Sequence, residues 1–95
     1  MYLRLTRASF NPALADQVVP IATEVRAAMG RLPGLQHNHQ GIDRAAGTVA
    51  AVSVWDSAEH ASFSREALGD PISSLRALGV QFEPPEIYEI MDGDG

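Results

Sequence analysis

The sequence contains no cysteine and no lysine in its 95 residues. The first absence excludes disulfides, thiolate metal sites and thiol nucleophiles, and the second excludes Schiff-base chemistry on a lysine amine. No stretch approaches the roughly 20 apolar residues that span a bilayer, and the first ten residues lack the apolar core of a signal peptide. We therefore expect a cytoplasmic protein without a membrane partner.

Positive charge is also scarce, since 7 arginines stand against 12 acidic residues and the formal net charge is −5. Without a basic run the chain lacks the counterion release that drives nucleic-acid binding, so no nucleic-acid partner is expected. With 45% apolar and 20% charged residues the composition is that of a folded globule. We expect one domain over residues 1–95, short enough that a second copy of the chain is the natural source of further stability.

Hydrophobic periodicity predicts four strands and two helices. The strands are expected at 2–10, 35–42, 48–55 and 80–91, and the helices at 11–29 and from 57 to about 68. Further helical turns are expected at 72–78, and residues 92–95 should fray. Asn11-Pro12 is typical of a helix start and Gly30 of a helix end. Pro20 is expected to bend the first helix or to separate a short initial turn from the main helix, and Pro84-Pro85 should interrupt the last strand.

The order strand, helix, strand, strand, helix, strand predicts an α+β, ferredoxin-like fold with a four-stranded antiparallel sheet and both helices on one face. The other face of such a sheet must be covered. Two sheets packed face to face would cover it, so we expect a homodimer. A pocket is expected between the sheet and its helices or the partner.

Three segments carry a resemblance to a known family. They are the run Val52–Glu59 followed by Phe63, the tripeptide Leu32-Pro33-Gly34, and Glu83-Pro84 with Tyr88-Glu89-Ile90. In these places the chain resembles the antibiotic biosynthesis monooxygenase family of the dimeric α/β-barrel superfamily. The resemblance spans nearly the whole chain, and its motifs identify the fold and the dimer far better than a substrate.

The resemblance implies a homodimer with one cavity in each subunit. Some members oxidise polycyclic phenols with O2 and no metal or flavin, others degrade haem, and others have no assigned activity, so function stays open. The oxygenase members use polar residues and a tryptophan near the cavity, and by strand position these match Asn38 and Trp55. The haem-degrading members have an asparagine in the first strand, which is absent here, and a histidine later on the second helix than His60. No cofactor is therefore expected.

His37 and His39 flank Asn38 in the second strand, and alternation places the two imidazoles about 7 Å apart on one side of it. One interpretation is proton transfer, because a neutral imidazole titrates near physiological pH. Another is a pair of half-exposed histidines on a polar edge or dimer face. A metal site is not predicted, since a third ligand such as His60 or Asp43 would be needed.

Three aromatic side chains are candidates for binding a substrate. Trp55 ends the third strand and could stack on a flat aromatic ring, or equally anchor the core or the dimer. Phe63 is a candidate for the same pocket or for the core. Tyr88 could hydrogen-bond a substrate oxygen, or hold its ring in the protein with the hydroxyl at the rim.

Two functions remain open at this point. The first is a cofactor-independent monooxygenase, an oxidoreductase acting on an aromatic polyketide-type phenol with O2. Asn38, His37 or His39 would then assist deprotonation, and Trp55, Phe63 and Tyr88 would bind the ring. The second is a non-catalytic homodimeric ligand-binding or interaction module, in which His37, His39 and Trp55 only line the interface.

Overall fold

The computed structural model describes residues 1–91 as one antiparallel sheet with helices against it. The strands are Tyr2–Ser9 (β1), Leu35–Asp43 (β2), Thr48–Trp55 (β3), Gln81–Phe82 (β4) and Glu86–Glu89 (β5). The helices are Ala15–Met29 (α1), Ala58–Ala61 (α2) and Asp70–Ala77 (α3), with 3-10 turns at Pro12–Leu14 and Arg65–Leu68. The prediction for residues 92–95 lies outside the described residues.

The strand order confirms the ferredoxin-like topology. β3 pairs with β2 on one side and with β1 on the other, and both β4 and β5 pair with the remaining edge of β1. The sheet therefore has five strands rather than four. The expected last strand is divided at Pro84 and Pro85, which have no backbone N–H to donate to β1.

The start of the first helix follows its sequence signals. The Asn11 side chain accepts a hydrogen bond from the backbone N–H of Ala13 at 3.0 Å, and Pro12 opens the 3-10 turn. The short initial turn anticipated from Pro20 exists, but it ends at Leu14. Pro20 itself lies inside α1.

The second helix is much shorter than predicted, because α2 ends at Ala61 and the chain continues through an irregular segment into the turn Arg65–Leu68. The Arg4 guanidinium on β1 explains part of this ending. It donates hydrogen bonds to the backbone carbonyls of Ala61 and Phe63 at 2.8 and 3.0 Å. Ser62 also turns its hydroxyl back onto the carbonyl of Ala58 at 2.7 Å.

Gly47 fixes the hairpin between β2 and β3 against the start of the first helix. Its φ of +69° lies in the left-handed region, and a Cβ there would clash with the carbonyl oxygen of Phe10. The Gly47 carbonyl in turn accepts from the Phe10 N–H at 2.8 Å. Only glycine meets both conditions.

The two faces of the sheet differ in a way that decides where a site can lie. On β1, Arg4 and Ala8 are buried beneath the helices, whereas Leu3 and Leu5 alternate onto the open face and remain only partly buried. The buried side packs in two apolar clusters, one around Val18 and one around Trp55. Within residues 1–91, no helix has both the length and the apolar character needed to cross a membrane.

Candidate functional site

A cavity of about 250 Å³ lies between the sheet and the helices. Its floor is the helix-facing side of β1, β2 and β3, and its walls come from α1, α3 and the segment after α2. The walls are mainly apolar and include Val19, Val25, Met29, Phe63, Ile72, Leu75 and Phe82. Because an apolar cavity of roughly 150 Å³ admits benzene, this volume suits one or two fused rings.

The charged lining of the cavity is entirely basic. Arg4, Arg7 and Arg65 line it, whereas none of the acidic residues in the described part of the chain does. Arg7 alternates onto the open face with Leu3 and Leu5, and its guanidinium forms an ion pair there with Glu86 at 3.4 Å, so its charge is not directed into the cavity. Arg4 and Arg65 have no carboxylate within ion-pair distance among residues 1–91. The cavity is therefore lined by two cations that lack a direct ion pair, in an otherwise acidic protein.

Arg4 is the most unusual side chain of the site, since it is only 4% exposed. One nitrogen, Nη1, makes both hydrogen bonds, to the carbonyls of Ala61 and Phe63. The guanidinium carbon lies 3.8 Å from the centre of the Phe63 ring. Burial, and next the charge of Arg65, lower the pKa of Arg4 to about 10, so that it remains a cation at neutral pH.

Arg65 forms the second cationic part of the wall. Its guanidinium lies 4.5 Å from the centre of the Phe82 ring and donates to the carbonyl of Glu83 at 3.0 Å. Burial, with the neighbouring Arg76, lowers its pKa. Arg76 is neutralised by Glu66 at 2.8 Å, and that hydrogen bond lowers the pKa of the Glu66 carboxyl.

Trp55 lies in the core behind the cavity and not on its wall. The residue is fully buried, its indole N–H donates to the Ser53 hydroxyl at 2.8 Å, and its ring centre is 5.1 Å from that of Phe63. Ser53 and Phe63 do line the cavity. Of the two predicted aromatic residues here, Phe63 is in position to touch a ligand and Trp55 supports it from behind.

Asn38 faces the helices but lines a second, more open groove of about 430 Å³ beside α1. Its Nδ2 lies 3.8 Å from the Met29 sulfur, and Met29 lies between this groove and the main cavity. The Asn38 Oδ1 is buried and has no hydrogen-bond donor among the described residues. An unpaired buried acceptor is uncommon and invites a donor from a ligand.

His37, His39 and Tyr88 lie on the opposite, open face of the sheet. They are exposed and none of them lines the cavity, but His37 lines the groove beside α1 together with Asn38. The Tyr88 hydroxyl donates to Glu86 at 2.8 Å, which raises the pKa of Tyr88.

No group of three histidine or acidic side chains among residues 1–91 is arranged to hold a metal ion. His60, a possible third ligand beside the histidine pair, instead contacts Asp56 at 2.7 Å. This contact lowers the pKa of the Asp56 carboxyl. Asp56 also donates its backbone N–H to the Gly34 carbonyl at 2.9 Å, so the pair ties the start of α2 to the turn before β2.

Sequence reasoning missed Arg4 as part of the site, whereas Arg65 was a candidate either for meeting an anionic substrate group or for a solvated position. The alternation Leu3-Arg4-Leu5 indicates that Arg4 and the two leucines lie on opposite faces of the sheet. It does not indicate which of these faces the helices cover. Arg65 lies in a turn whose position depends on the early end of α2.

Similar solved structures were found, but no protein-family profile and no curated protein sequence matches the chain. SnoaB, a cofactor-independent oxygenase from Streptomyces nogalater, is 18% identical with a TM-score of 0.70, covering 97% of this chain and 94% of its own. A protein named as a candidate antibiotic biosynthesis monooxygenase from Deinococcus radiodurans is 16% identical with a TM-score of 0.77, and the match covers 100% of this chain and 97% of that protein. Another protein so named, from Chloroflexus aurantiacus, is 22% identical with a TM-score of 0.72, and the match covers 99% of this chain and 96% of that protein. At these identities the similarity establishes the fold alone.

Proposed function

We propose that this chain, which has the fold of structures named as antibiotic biosynthesis monooxygenases, oxidises a compact aromatic phenol of the polyketide type with O2 and without a cofactor. The observation that carries the proposal is the apolar cavity between sheet and helices, in which the charged side chains of the lining are basic among residues 1–91. A flat phenol fits the apolar walls, and its ionised form fits the charge. The similarity to a cofactor-independent oxygenase supports the same assignment.

The reaction would convert a ring methylene into a carbonyl. The ionised substrate gives electrons to O2 and forms a carbon–oxygen bond. The carbon loses two hydrogens and four electrons, one oxygen atom becomes the new carbonyl, and the other leaves as water. An electron-rich phenolate supplies the reactivity, so the protein has to position the ring, exclude water and favour the ionised state.

Proton removal is the step for which the cavity is least equipped. Among its lining residues in the described chain there is no histidine, carboxylate or tyrosine. Asn38 lies beside Met29, which lines the cavity, and its unpaired Oδ1 is an acceptor for a phenol O–H that reaches past Met29. Such a contact would orient the hydroxyl without acting as a strong base. His37, His39 and Tyr88 lie on the open face of the sheet, so this proposal gives them no part in the reaction.

A non-catalytic ligand-binding module is the second candidate. It is favoured because none of the described residues that line the cavity is a base, and because Trp55 is buried away from the ligand space. Both functions use the same cavity and differ only in whether O2 is consumed.

Oxygen uptake with a panel of one-ring to three-ring phenols and anthrone tests the proposal. We expect catalytic uptake with one O2 consumed for each molecule oxidised. Asn38→Ala should lower kcat/KM by about tenfold, the value of one hydrogen bond. Gln17→Ala, which removes an exposed amide from α1, is the matched control and should leave the rate unchanged. Saturable binding without uptake by any member would favour the non-catalytic module.

We further propose that the open face of the sheet pairs with a second copy of the chain. Leu3, Leu5 and Val54 are only partly covered there, and Val52 is 37% exposed in the middle of the sheet. Two such faces packed together would bury these side chains in the manner of aligned sheets. A short domain gains the most from that burial.

Val52→Asp is expected to weaken the dimer at least tenfold, because it would bury an unpaired carboxylate in the interface. The change is measured as mass against concentration by analytical ultracentrifugation. Ala45→Asp, in the exposed hairpin turn, adds the same charge outside the face and should have no effect. A wild-type protein that remains monomeric at high micromolar concentration would contradict the proposal.

A further inference from the structure

We infer that the cavity selects a planar aromatic anion and that Arg4 is the residue that holds its charged oxygen. The inference rests on the proposed function for the place where the ligand binds, but not for the oxygen chemistry. Its starting point is the charge of the lining, which holds two arginines without a carboxylate partner and no acidic side chain among the described residues.

Arg4 has hydrogen-bonding capacity that the protein does not use. A guanidinium carries five N–H groups, and here both hydrogen bonds come from Nη1. The N–H groups of Nε and Nη2 have no acceptor among residues 1–91. Since Arg4 is 4% exposed and lines the cavity, the space left for an acceptor is the cavity itself.

A buried cation is costly unless it is paired. The usual solution is a buried carboxylate from the protein, and here two neutral carbonyls stand in its place. A ligand that brings one negative oxygen would complete the pairing with charge-assisted hydrogen bonds, which are about twice as strong as neutral ones. A neutral ligand of the same shape would leave the charge uncompensated.

The neighbours of Arg4 favour a flat ligand with its charge at one edge. Phe63 lies against the guanidinium at 3.8 Å and holds it in a fixed plane, and Trp55 supports Phe63 from behind. Apolar side chains such as Met29 and Ile72 form other parts of the wall. An aromatic phenolate or an aromatic carboxylate has this combination of an apolar body and a planar anionic edge.

This pairing would also supply what the proposed reaction lacks. A cation beside the phenol oxygen favours the ionised form and so lowers the pKa of the bound phenol. The proton could then leave to solvent without a basic side chain in the cavity. Arg4 would touch the substrate itself and hold its charge while the ring carbon reacts.

The inference is tested without O2, so that binding is separated from turnover. Wild-type protein is titrated calorimetrically with 2-naphthoate, 2-naphthol and the neutral 2-methoxynaphthalene, and the absorption of bound naphthol is recorded against pH. We expect the tighter-binding anion to exceed the methyl ether in affinity by about 10- to 100-fold. Binding of naphthoate would show that the cavity takes an aromatic carboxylate. A naphtholate absorption band that appears at a pH below the pKa of free naphthol would show that it takes a phenolate.

Arg4→Gln should remove most of this preference and lower affinity for the anion by about 10- to 100-fold, while binding of the methyl ether stays nearly unchanged. Arg31→Gln, which removes an exposed arginine in the turn after α1, should change neither. If Arg4→Gln does not fold, the wild-type ligand series and Arg4→Lys decide the matter. Equal affinity for anions and the methyl ether, or no binding of either anion, would overturn the inference. Anion binding without O2 uptake would retain it and reject only the oxygenase.

Discussion

Trp55→Ala should lower the free energy of unfolding by about 3–5 kcal/mol, the usual cost of truncating a large buried aromatic side chain. Trp55 is fully buried, packs on Phe63, and gives its indole N–H to the Ser53 hydroxyl. Truncation leaves a void and a buried hydroxyl without its donor. Since a domain of this size has a total stability of roughly 5–15 kcal/mol, the variant should be close to unfolding at 37 °C.

Urea denaturation followed by far-ultraviolet circular dichroism measures this effect, with the protomer concentration held constant because a dimer would couple stability to it. Trp55→Phe is the graded control. It retains most of the ring and loses the hydrogen bond, so we expect a loss of about 1–2 kcal/mol. A change below 1 kcal/mol for Trp55→Ala would contradict the core assignment and return Trp55 to the role of a direct ligand contact.

The parts of the fold that the sequence predicted well are those governed by local signals. The third strand was placed at its observed bounds, Thr48–Trp55, because β-branched residues and a preceding turn delimit it. The Asn11 cap formed as expected, since it depends on neighbouring residues only. The interruption of the last strand followed from the missing N–H groups of Pro84 and Pro85.

The second helix was predicted wrongly because a distant residue ends it. The apolar residues near 57–68 are compatible with a helix, and nothing local requires a break after Ala61. The break accompanies the hydrogen bonds from Arg4 to two carbonyls of this segment, which lie 57 and 59 positions away in the chain. Such a tertiary contact overrides a weak helical preference.

The site was predicted in part. Alternation along β2 separated Asn38 from His37 and His39 before the structure did, and the structure keeps them on opposite faces. Alternation alone does not show which face of the sheet the helices cover. In the structure they cover the face that carries Arg4, and Leu3 and Leu5 lie on the open face. The polarity of residues 3–5 alone would therefore have assigned the two faces in reverse.

Blocking the cavity is expected to have the largest effect on binding. Ala51 lies on the helix-facing side of β3, opposite Thr6 of β1 and Gln40 of β2, and it lines the cavity. Ala51→Phe would place a ring in a space of about 250 Å³. We expect saturable binding of 2-naphthoate to fall by more than about 100-fold, because a ligand that must displace a packed side chain loses most of its apolar contact.

Calorimetry under nitrogen measures the affinity, and thermal unfolding checks that the variant is folded. Phenylalanine suits a strand, and overpacking would cost about 1–3 kcal/mol of stability, which leaves a folded protein to measure. Ala45→Phe in the exposed hairpin turn adds the same ring away from the cavity and should bind as the wild type does. Binding that survives Ala51→Phe would move the ligand to the groove beside α1, where the unpaired oxygen of Asn38 lies.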